Sequence, residues 1–119
     1  MVVKRIVPNI QTSHPRKAHK FYAEVLGLDL VMDLGWIRTY ASGLSGRAQI
    51  TVAKDGGAGA MLPDISIEVD DLDGVLTLMR AKRIKIEYGP VDEPWGVRRF
   101  FVRDPFGTLL NIVSHTTIS

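Results

Sequence analysis

The stretch D-I-S-I-E-V-D-D-L-D-G-V-L-T-L-M-R-A-K-R, residues 64–83, changes its apolar period part-way along. Ile65, Ile67 and Val69 alternate with Asp64, Ser66 and Glu68, the period-two pattern of a strand with one buried face. From Leu72 the apolar positions become Leu72, Val75, Leu76 and Met79, the stripe of a helix. Asp70 or Asp71 can cap that helix, and Lys82 and Arg83 complement its C-terminal end. The segment therefore predicts a strand over 64–69 running into a helix over 71–82.

The same arrangement occurs near the start of the chain. A strand over 3–12 leads to Ala18, Phe21, Tyr22, Val25 and Leu26, again one apolar stripe, in a helix predicted over 14–26. Ser13 or His14 caps it, Pro15 suits its first turn and Gly27 stops it. Val7 precedes His14 by seven residues, as Asp64 precedes Asp71. Three strands are expected after each helix, near 28–33, 36–42 and 47–54, and near 84–88, 97–103 and 108–114. Gly35, Gly43, Gly46, Gly89-Pro90 and Pro105-Phe106-Gly107 mark the turns between them. The chain thus reads as βαβββ twice. Its modules are 1–54 and 63–119, joined by a flexible Gly/Ala-rich linker at 55–62. The fold class is α+β, with helices on the outer faces of two curved, antiparallel-rich sheets and a cleft between the sheets.

Composition bounds the function. The 119 residues are 45% hydrophobic and 24% charged, with no cysteine and a net charge of +2. Disulfides and thiolate metal sites are excluded. The charge is too mild and too scattered for nucleic-acid binding. No apolar run reaches the roughly 20 residues needed to span a bilayer, and no secretory leader is visible, so neither a membrane nor a nucleic acid is an expected partner and cytoplasmic residence is expected. The glycine run at 56–59 lacks the Lys-Ser/Thr ending of a phosphate loop.

The segment Phe21-Tyr22-Ala23-Glu24-Val25-Leu26-Gly27-Leu28 resembles the helix-ending signature of the glyoxalase / bleomycin-resistance / extradiol-dioxygenase (vicinal oxygen chelate) superfamily. Val69-Asp70-Asp71-Leu72-Asp73 resembles its second helix entry, and Arg103-Asp104-Pro105-Phe106-Gly107-Thr108-Leu109-Leu110 its final hairpin. Val7-Pro8-Asn9-Ile10 and Gly35-Trp36-Ile37 are similar to the bleomycin-resistance group in particular. That likeness implies a homodimer that sequesters a small molecule in a cleft without reacting with it. Bleomycin is cationic and this chain is basic, so the resemblance implies a binder of hydrophobic ligands more securely than a binder of bleomycin.

Metal-dependent relatives place a His on the first strand of each module and a Glu on the last strand. Counted from the shared motifs, those positions fall on Val7, Asp64 and Asn111. Valine cannot ligate and a neutral amide is a weak donor, so no metal and no other cofactor is expected. His14 and His19 are separated by about 140° on a helix, and His115 is read as a surface residue at the chain end.

The residues expected to bind the ligand are Asn9, Trp36, Arg38, Tyr40, Asp64, Glu68, Trp95, Arg99, Phe101 and Asn111. Trp36 and Trp95 hold related places in the two modules, and indoles with guanidinium groups suit a planar aromatic molecule. The alternative is a superfamily enzyme of the lyase, isomerase or dioxygenase type. Asp64 and Glu68 would form its carboxylate pair, with one pKa raised by the other.

Overall fold

The computed structural model describes residues 2–43 and 48–116. The turn expected at Gly46, and the strand start at Arg47, lie outside those residues. The chain divides into two compact units, one of residues 7–62 and the other joining the residues up to Ile6 to those from Pro63 onward.

The unit of residues 7–62 holds strands β2 (Asp29–Asp33), β3 (Ile37–Ala41) and β4 (Gln49–Ala53), and most of β1 (Val3–Gln11), in the order β2-β3-β4-β1. β1 and β4 run parallel, with Asn9 opposite Thr51, and the other pairs are antiparallel. The connection after β1 departs from the expected α-helix. It forms a 3-10 turn at Pro15–Lys17 and a π-helical turn at Lys20–Val25, whose Leu26 N–H bonds back to the Phe21 carbonyl. An i→i+5 ladder no longer superposes residues three and four apart. Tyr22 turns inward against Tyr40, at 5.9 Å between ring centroids, while Phe21, Val25 and Leu26 stay exposed.

The segment expected as a flexible linker closes a hydrogen-bonded loop within this unit. Gly57 N–H donates to Asp55 Oδ1 (2.7 Å), Gly56 N–H to the Ala60 carbonyl (2.8 Å) and Ala60 N–H to the Gly57 carbonyl (2.8 Å). A Cβ on Gly56 would sit 2.2 Å from the Met61 carbonyl oxygen, which is why only glycine fits there.

In the other unit, β5 (Ile65–Val69) pairs in parallel with β8 (Leu109–His115). β7 (Val97–Arg103) and β6 (Ile86–Glu93) follow antiparallel. Val2, just ahead of β1, is tied here by two bonds to Asp70: Asp70 N–H donates to the Val2 carbonyl, and Val2 N–H donates to the Asp70 side-chain Oδ1. The α-helix of this unit, α1 (Leu72–Ala81), is capped by Asp71, whose carboxylate accepts from Gly74 N–H at 3.0 Å. It lays Leu72, Val75 and Leu76 on Val69, Phe100, Val102 and Ile112, which form the core of this unit. One sheet face is therefore committed to α1. The residues of opposite parity, Ser66, Glu68, Arg99, Phe101, Asn111 and Val113, share the other face.

Candidate functional site

This helix-free face carries four of the expected ligand contacts: Glu68, Arg99, Phe101 and Asn111. The register aligns Ser66, Asn111, Phe101 and Tyr88 in one row, and Glu68, Val113, Arg99 and Val91 in the next. Tyr88 reaches the face through a bulge. Ile86 packs on the α1 side, so an ideal strand would send Tyr88 there too. The register slips between Ile86 and Tyr88, and again between Tyr88 and Val91, and turns Tyr88, Val91 and Glu93 toward Arg99.

The Arg99 guanidinium, 5% exposed, lies 5.0 Å from the Trp95 ring, 5.3 Å from Tyr88 and 4.8 Å from Phe101. Its Nε donates to Glu93 Oε2 at 2.8 Å, and the Tyr88 hydroxyl donates to the same oxygen at 3.0 Å. Charge, hydrogen bonds and cation–π contacts fix this cluster together. Beside it, Asn111 Nδ2 donates to Ser66 Oγ at 3.1 Å. Asn111 Oδ1 is buried with no hydrogen-bond partner among the described residues.

At the other end of the face Glu68 accepts from Arg5 Nε at 2.7 Å and bonds His115 Nδ1 through its second oxygen. Burial pushes the Glu68 carboxyl up. The His115 hydrogen bond and the Arg5 and His115 charges outweigh burial and hold it below its ordinary value of 4.5. A depressed folded-state pKa contributes stability that is present above the unfolded value and lost as pH falls through the folded one. The expected result is that Glu68→Gln is less stable than wild type at neutral pH, and that the gap narrows as pH falls below the ordinary glutamate value and through the lower folded-state one. Thermal melts of both proteins against pH measure it, and a gap independent of pH would contradict the assignment.

The remaining candidates lie elsewhere. Asp64 is exposed ahead of β5, four residues before Glu68, whose carboxylate is engaged by Arg5 and His115. Tyr40 has 0% exposure. It packs on Tyr22 and His19, and its hydroxyl accepts from Arg38 at 3.3 Å. Arg38 also pairs with Asp33 at 3.0 Å. Strand alternation puts both on the side of the helical turns, opposite Asn9, where they pack within their unit. Trp36 is half-buried, and its carbonyl accepts from Lys54 N–H. Sequence reasoning missed Tyr88, Glu93, Arg5 and the role of His115. The signal for the first two was Gly89-Pro90, which stands inside β6 where a regular strand would not hold it.

A model of the Glyoxalase/Bleomycin resistance protein/Dioxygenase superfamily matches residues 3–112. The chain belongs to this superfamily. No curated protein matches it. Among solved structures, NAD-dependent benzaldehyde dehydrogenase from Legionella pneumophila is similar at a TM-score of 0.72 and 16% identity, over 93% of this chain and 99% of that one. Methylmalonyl-CoA epimerase from Mycobacterium tuberculosis gives 0.67 and 19%, over 97% and 88%. A glyoxalase/bleomycin resistance protein/dioxygenase superfamily member from Vibrio splendidus 12B01 gives 0.63 and 13%, over 93% and 97%. At these identities the likeness is one of fold.

The superfamily's metal does not fit the residues at its expected positions. Val7 is a buried hydrocarbon and Asp64 is exposed, which leaves the neutral amide oxygen of Asn111 as a single weak donor. No group of three His, Cys, Asp or Glu side chains that could hold an ion occurs among the described residues.

Proposed function

We propose that the helix-free face of the second unit binds and sequesters a small planar aromatic molecule without a metal ion, as a drug-binding member of the superfamily would. The observation that carries this reading is the orphaned Asn111 Oδ1. An unmet buried acceptor costs about 1–3 kcal/mol, and a ligand N–H or O–H relieves that cost. The neighbouring rings of Trp95 and Tyr88, both partly exposed, supply stiff apolar surface over the buried Phe101, and Arg99 and Glu93 hold them in place before any ligand arrives.

The test is a tryptophan-fluorescence titration with planar antibiotics and aromatic acids. Trp95→Ala is expected to weaken a micromolar ligand about fivefold, the scale of one lost aromatic stack. A ligand that binds wild type and Trp95→Ala equally would sink the reading.

The same reading includes cytoplasmic residence and a homodimer. Phe21, Val25 and Leu26 are 56%, 70% and 56% exposed, and a second copy would cover them. Light scattering is expected to give twice the chain mass at micromolar concentration, and a monomer throughout that range would count against the dimer.

A further inference from the structure

We propose that His115, oriented by Glu68, takes the proton of a weakly acidic hydroxyl on the bound ligand, so that the ligand is held as its anion. The inference rests on the binding face proposed above and narrows the ligand to a phenol or enol built on fused planar rings.

Glu68 is one-tenth exposed and bridges the Arg5 guanidinium through Oε1 and the His115 imidazole through Oε2. Its bond to Nδ1 fixes the imidazole: the Nδ1 position carries the proton, and the lone pair of the neutral ring sits on Nε2. Nε2 has no partner among the described residues, and the side chain is 52% exposed, so this nitrogen can meet a ligand. A buried carboxylate behind an imidazole also stabilises the imidazolium that forms when Nε2 accepts a proton.

The step balances without any co-reactant. The ligand O–H bond breaks, its electron pair stays on oxygen, and an N–H bond forms at Nε2. The outcome is an alternating set of charges: Arg5 positive, Glu68 negative, His115 positive and the ligand oxygen negative. The charge created on the ligand is met by the charge created on the protein. The other charged residues on this face are Arg99, neutralised by Glu93, and, by parity along β7, Arg103, which pairs with Glu87 at 3.0 Å.

Length follows from register. His115 and Asn111 share a face of β8 and are four residues apart, about 13 Å along the strand, with Val113 between them as an apolar floor. A ligand that satisfies Asn111 Oδ1 at one end and His115 at the other spans two or more fused rings.

The probe is 7-hydroxycoumarin, a two-ring phenol whose absorbance separates the hydroxyl from its anion. It is used at a pH where the free dye is mostly neutral. Two signals are read together: quenching of tryptophan emission for binding, and absorbance for ionisation. Wild type is expected to quench and to raise the anionic fraction severalfold. His115→Asn is expected to quench without that rise, and Glu68→Gln to give a smaller rise than wild type, with circular dichroism checking that both remain folded. Quenching by wild type with no more anion than in free solution would overturn the inference and leave the binding face standing. An equal rise in His115→Asn would overturn it as well. Failure of wild type to bind the dye at all would overturn this inference, while the titration with planar antibiotics and aromatic acids decides the binding face separately.

Discussion

Glu93→Gln lowers the stability of the protein by about 3 kcal/mol, roughly a 10 °C fall in melting temperature for a chain of this size. The cost comes from what remains. Arg99 is buried, enclosed by Trp95, Tyr88 and Phe101, and cannot reach water when its counter-charge is removed. A buried charge left unpaired is far more costly than the same pair replaced as a whole. The paired replacement Glu93→Leu with Arg99→Met therefore recovers most of the loss, although Tyr88 then loses its acceptor. Calorimetry on the two single variants and the double variant measures the coupling. Single losses that simply add in the double variant would contradict the assignment of these residues to one electrostatic unit.

Phe100→Ala is the second large effect, at about 3–5 kcal/mol. Phe100 is 0% exposed and lies among Val69, Leu72, Val75, Leu76, Val102 and Ile112, contributed by a helix and three strands. Because these elements are fixed by sheet hydrogen bonds, the space left by the ring does not close, and a cavity cost adds to the lost burial. Urea denaturation measures the loss. A value under about 1.5 kcal/mol, the range of volume-conserving core changes, would mean that this side of the sheet is not packed as described.

Much of this architecture is legible in the residues. Residues 64–83 announce a strand and a helix because Ile65, Ile67 and Val69 keep period two and Leu72, Val75, Leu76 and Met79 keep the helical stripe. The structure forms β5 and α1 within a residue or two of those bounds. The helix expected over 14–26 shows where periodicity fails. Its stripe is as regular as that of α1, yet the i→i+5 bonds around Phe21–Leu28 rotate it, and half of it faces outward. A five-residue ladder leaves no trace in a pattern of apolar spacing. The site divides in the same way. Glu68, Arg99, Phe101 and Asn111 lie on regular strands, so parity alone puts them on one face. Tyr88 and Glu93 lie beyond register slips that invert parity, and counting along β6 hides them. The partnership of His115 with Glu68 joins residues 47 apart, which only the parallel pairing of β5 and β8 brings together.

The central claim is that the helix-free face of the second unit is a ligand site whose unmet acceptor is Asn111. The most direct test is a thermal-shift comparison of wild type and Asn111→Leu, each with and without a planar aromatic amine that binds wild type at micromolar affinity. Asn111→Leu removes the unmet Oδ1 acceptor but also the Nδ2 bond to Ser66, so the unliganded variant is expected to stay within about 1 kcal/mol of wild type. Saturating ligand at 100 times its Kd is expected to raise wild type by about 2.7 kcal/mol and the variant far less. If the ligand stabilises Asn111→Leu as much as wild type, the face described here is not where it binds.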